Sequence, residues 1–119
     1  MTHTDLDVWK LSMDLVVDIY QITENLPKSE MFGLTSQIRR AAVSIPSNIA
    51  ECAARKSLKE YIQFLYVALG SASEVDTQLE LIKRLGFAEI SIEILDKIEH
   101  VKKMLLNIIK VLKAKEGNR

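Results

Sequence analysis

The chain has 119 residues, 16 basic and 16 acidic side chains for a formal net charge of zero, and 48% apolar residues. That suits one ordinary domain spanning 1–119, with enough apolar surface for a core without metals or disulfides. A single cysteine, Cys52, excludes an internal disulfide and fits a reducing cytoplasm. The start MTHTDLDVWK has no apolar signal core, and no apolar run reaches the roughly 20 residues of a membrane span.

Two prolines and four glycines, with apolar residues at spacings of three and four, predict helix nearly throughout. The first predicted helix runs from about Asp5 to Glu24, capped by Thr4 or Asp5, whose side-chain oxygens would accept a free first-turn amide. Trp9, Met13, Val16, Ile19 and Tyr20 mark its inner stripe. Leu26-Pro27 closes it, because a residue before proline disfavours the helical region.

After a loop over Pro27–Gly33, a second helix is predicted from Leu34 or Thr35 to about Arg55. Its inner face holds Ile38, Ala41, Ala42, Ile45, Ile49 and Ala53. Pro46 has no amide to give the carbonyl of Ala42, so a kink or break is expected there. Ser44, Ser47 or Asn48 would then satisfy the freed backbone groups.

Ser57-Leu58-Lys59-Glu60 has the form of a capping box, which starts a third helix near Leu58. Its seam is Leu58, Tyr61, Leu65, Ala68, Ala72, Val75, Leu79 and Ile82, and Gly86 stops it. The small residues around Gly70 are expected to let a neighbouring helix come close. A fourth helix follows from about Glu89 to Lys113, with the seam Ile94, Ile98, Val101, Leu105, Ile108 and Leu112. Seams of this period, joined by short connections, predict an all-α, antiparallel up-down-up-down four-helix bundle. Phe64, Val67, Leu81, Met104, Leu106 and Val111 exceed what one seam needs and suggest a homo-oligomer.

The charges alternate by segment. Residues 1–30 carry a net −4, 31–59 a net +4, 60–99 a net −5 and 100–119 a net +5. The bland reading is mutual attraction and solubility; the sharper one is a basic stripe on a neutral body.

Few residues carry a pattern of known chemistry. His3 and His100 lack the Glu-x-x-His spacing of a di-iron bundle, and no Cys/His pairing supports zinc. No nucleophile elbow, phosphate loop or dinucleotide glycine pattern is present. No enzyme activity, metal or cofactor is therefore expected. Asp76, near the third seam, is expected to pair with Arg39, Arg40 or Lys83. The basic constellation is Arg39, Arg40, Arg55, Lys56 and Lys59, whose charges could bind nucleic-acid phosphates with little sequence preference.

The block FGLTSQIRRAAVSIPSNIAE (Phe32–Glu51) and the following ARKSLKEYIQFLYVALGSASE (Ala54–Glu74) closely resemble the proteins encoded in intervening sequences of bacterial 23S rRNA genes. VWKLSMDLVVDIY (Val8–Tyr20) resembles the usual first helix of that family, and the likeness covers roughly residues 5–86. It departs at Cys52, where the family usually has glycine. The resemblance implies a four-helix bundle. It extends to the accessory variability determinant of diversity-generating retroelements, and so implies a homopentamer that binds RNA or DNA and a reverse transcriptase. On that basis Arg39, Arg40, Arg55 and Lys56 are the first candidates for nucleic-acid contact. The alternative is a protein-interaction scaffold that does not touch nucleic acid.

Overall fold

A computed structural model describes residues 6–117. Four helices account for most of it: α1 (Asp7–Thr23), α2 (Ser36–Ala53), α3 (Leu58–Arg84) and α4 (Ile92–Gly117). Among the described residues there is no strand. Between α1 and α2 the chain makes a short 3-10 turn, Lys28–Glu30, then a wide turn, Met31–Thr35, that leaves helical geometry at Gly33.

Cross-helix contacts give the directions. Along α3 and α4, Tyr66 meets Lys113 and Asp76 meets Lys102, so one helix descends as the other rises. Along α2 and α3, Ser44 meets Ser71 and Arg55 lies over Phe64, again in opposite order. The N-terminal parts of α2 and α4 therefore share one end. The C-terminal part of α1 reaches both, through Arg39 to Thr23 and Lys97 to Asp18. Each helix packs on two others in a closed ring, α1 on α2, α2 on α3, α3 on α4 and α4 on α1, which makes a bundle. The body is 51 × 24 × 21 Å.

The core follows the predicted seams on α3 and α4 closely. Leu65, Ala68, Ala72, Val75, Leu79 and Ile82 are buried on α3, as are Ile98, Val101 and Leu105 on α4. Ile109 rather than Ile108 takes the last buried position of α4. On α2, Cys52 replaces the expected Ala53. The stripe of α1 is rotated from the expected one: Val8, Ser12, Leu15, Ile19 and Thr23 are buried, while Met13 and Tyr20 are exposed. Two of those buried residues are polar, and each is satisfied within its own helix. Ser12 Oγ donates to the Trp9 carbonyl at 2.8 Å and Thr23 Oγ1 to the Ile19 carbonyl at 2.7 Å. Hydroxyls bonded in this way can sit in a core without an unpaired-donor cost.

The helix ends obey local chemistry. Position N-cap of α1 is Leu6, with no side-chain cap; the expected caps Thr4 and Asp5 lie outside the described residues, as does His3. Ser57 Oγ accepts the Glu60 amide at 3.1 Å, although the Glu60 carboxylate does not return the bond. At the end of α3, Gly86 has φ +72°, with Phe87 N–H bonded to the Ile82 carbonyl and Gly86 N–H to that of Lys83. This is the left-handed cap that glycine adopts without strain. Helix α4 begins three residues later than expected, because Ser91 Oγ caps it by accepting the Ile94 amide at 3.3 Å.

Helix α2 is not broken at Pro46; it continues from Ser36 to Ala53 with the proline ring buried. Asn48 Nδ2 donates to the Ser44 carbonyl at 2.8 Å and to Ser44 Oγ at 2.9 Å, and Ser44 Oγ meets Ser71 Oγ at 2.8 Å. These bonds tie the turn to α3, but the Asn48 amide goes to the Ser44 carbonyl and not to that of Ala42, the one Pro46 frees. Nor is Gly70 a point of close approach, since a Cβ there would meet nothing within 4 Å.

Candidate nucleic-acid interface

The four candidate cations all ride on α2 or just beyond its end, and the structure separates them into two pairs. Arg39 and Arg40 sit one turn into α2, whereas Arg55 and Lys56 follow its last turn. Sixteen residues of helix rise put the pairs about 24 Å apart along the axis.

Arg39 is half-buried and held in place. Its Nε donates to Thr23 Oγ1 at 2.8 Å, its Nη2 reaches the Tyr20 carbonyl at 3.4 Å, and its guanidinium lies 4.4 Å from the Tyr20 ring centroid. These contacts tie α2 to α1, so Arg39 has a structural task beside any binding one. Arg40, its exposed neighbour, has no such partner. At the other end, Arg55 makes an ion pair with Glu51 at 2.5 Å and stacks 4.6 Å above the Phe64 ring centroid. Lys56 is exposed and without a partner. Of the four, then, two are anchored and two are free.

A groove of about 610 Å³ opens beside the first pair, walled by Arg39 and Arg40, the rings of Tyr20 and Phe32, and Val43. No carboxylate lines it. Neither Phe32 nor Tyr20 is marked by the sequence as part of a groove. Phe32 stands in a loop with no helical seam to claim it, and Tyr20 was assigned to the core stripe.

Asp76 pairs with none of its expected partners. Lys102 of α4 takes it at 3.2 Å and also reaches Glu99 at 3.4 Å. Burial works against the Lys102 charge, but the bonds and attraction of Asp76 and Glu99 hold its pKa above the ordinary 10.5. Cys52, fully buried, lies against Tyr61. Burial pushes its thiol pKa up, and the neighbouring Tyr61 hydroxyl partly offsets this. His100 is exposed, off the α4 seam. Among the described residues no group of three or more His, Cys, Asp or Glu is placed to hold a metal ion, and no helix is long and apolar enough to cross a membrane.

The sequence matches the 23S rRNA-intervening sequence protein family over residues 4–107. The chain belongs to that family. A solved structure from Bacteroides thetaiotaomicron, a protein with unknown function from the S23 ribosomal protein family, is 30% identical and superposes with a TM-score of 0.77. The likeness covers 92% of this chain and 99% of that one. No curated protein matches. The family match runs past Gly86 into α4, further than the sequence motifs alone suggested. It stops before Lys110, Lys113 and Lys115, which extend α4 toward the α2–α3 joint. Lys113 is fixed there by its bond to Tyr66 Oη at 3.0 Å.

Proposed function

We propose that this member of the family is a non-enzymatic, self-associating cytoplasmic protein that binds nucleic acid through the exposed face of α2. One observation carries the reading. Between Met31 and Lys59 the only acid is Glu51, and it is neutralised by Arg55, so the segment from Arg40 to Lys56 offers cations at both ends of α2 without a free carboxylate of its own. Such a face attracts phosphate by charge and releases counterions when it binds. Lacking a base-reading motif, it would contact backbone and discriminate little among sequences. Arg40 and Lys56 carry most of the contact, while Arg39 and Arg55, already partnered, add positive potential. Family resemblance supports a homopentamer and a protein partner such as a reverse transcriptase.

Binding of RNA or DNA oligonucleotides, titrated over salt, tests this. The wild type should weaken steeply as salt rises. The double variant Arg40→Glu, Lys56→Glu should lose about tenfold or more at low salt, with a shallower slope by about one per phosphate contact removed. Salt-independent binding, or none, rejects the proposal. A second reading, the protein-interaction scaffold, draws on Val67, Leu81, Leu106 and Val111, all exposed on α3 and α4.

A further inference from the structure

We infer that the groove at the α1–α2 end takes an unpaired stretch of nucleic acid, with a base against Phe32 and phosphate on Arg40. The inference rests on the nucleic-acid reading above and narrows it to single strands at this place. Phe32 is 93% exposed, the most exposed large apolar side chain among the described residues, and Met31 beside it is 53% exposed. A ring left this far in water is available for contact from outside. It stands at the rim of a groove whose other walls include two arginines and no carboxylate.

This combination of exposed ring and unopposed cation discriminates between occupants. A duplex keeps its base faces stacked on one another and presents phosphates and groove edges, so an aromatic face has nothing to stack on. An unpaired strand presents base faces, and each can lie on an aromatic ring or a guanidinium plane. Arg39 supplies such a plane, held by Thr23 and laid over Tyr20, so it is oriented before any strand arrives. Ser36, also in the wall, adds a hydroxyl for phosphate or sugar. The adjoining groove on α1, which shares Tyr20 and Arg39, contains Glu24. Its charge confines the strand to the α2 side.

Anisotropy titrations with a labelled oligo-uridine of about 12 nucleotides and a duplex of equal length test the inference. The wild type should prefer the single strand. Phe32→Ala should lower single-strand affinity about tenfold, the size of losing one base–ring stack, and leave duplex affinity unchanged. Phe32→Tyr should restore it, and Arg40→Glu should weaken both probes. Circular dichroism of Phe32→Ala should match the wild type, because the ring is almost wholly outside the packing. If neither probe binds the wild type, the nucleic-acid reading itself is lost. If both bind equally and Phe32→Ala changes neither, only the single-strand inference is lost. A fall in particle mass by light scattering with Phe32→Ala, binding unaltered, would make the ring a contact between proteins and also overturn it.

Discussion

Cys52 is the one cysteine of the chain, and the structure shows what its side chain does. It fills a fully buried position on α2 and its thiol meets the Tyr61 hydroxyl of α3. Both groups have pKa values raised, mainly by burial, from ordinary values of 9.0 for the thiol and 10.0 for the phenol. The sign of the pH dependence follows. Above pH 9 the unfolded chain has released the thiol proton while the native protein keeps it, so stability falls as pH rises; below that the contribution is complete. Urea unfolding at a series of pH values should show the decline beginning near the thiol's ordinary value. Cys52→Ala should lower stability at neutral pH through the lost packing, and it should postpone the alkaline decline toward the onset set by Tyr61. An unchanged onset in Cys52→Ala would show that other groups govern the decline.

Helices α3 and α4 were legible because their seams are long, regular and apolar. Helix α1 was legible in its extent but not in its buried stripe, which runs through Ser12 and Thr23, polar residues that add nothing to an apolar period. Only local bonds to the Trp9 and Ile19 carbonyls make them acceptable inside, and such bonds have no signature in composition. The start of α4 was missed for a related reason: Ser91 caps it, but the apolar residues before it already resemble helix. Arg39 and Arg40 could be named from sequence, whereas the groove around them could not, because it depends on which way Tyr20 and Phe32 point. Gly70 was read as a packing residue on the strength of its small neighbours. Of these, Ala68 and Ala72 face the core and Ser71 faces α2, but Gly70 faces open space. It therefore weakens α3 without compensation inside the subunit. Gly70→Ala should raise stability by about 0.5–1 kcal/mol, the helix-propensity difference, measured as a shift in the urea midpoint. A loss instead would show that another subunit or ligand sits against this position.

At the scale of the whole molecule, surface is in excess. A compact protein of 13.5 kDa exposes about 6,500 Å², whereas this bundle exposes 7463 Å². Its elongated shape, 51 Å by little more than 20 Å, accounts for much of that, and single bundles of four helices bury only the inner stripe of each. The outer faces nevertheless carry Val67, Leu81, Leu106 and Val111, each 44–56% exposed. Phe64 and Met104, grouped with them on sequence grounds, instead pack against the core. Four half-exposed aliphatic residues on α3 and α4 are available to an assembly. Val111→Asp and Leu106→Asp place a charge where burial between subunits would forbid it, while altering no buried core residue of the single bundle. Light scattering should report a multiple of the chain mass for the wild type and a lower mass for whichever variant strikes the contact, with helical circular dichroism unchanged. A wild type already at 13.5 kDa would refute assembly and leave these residues as the uncovered flank of a monomer.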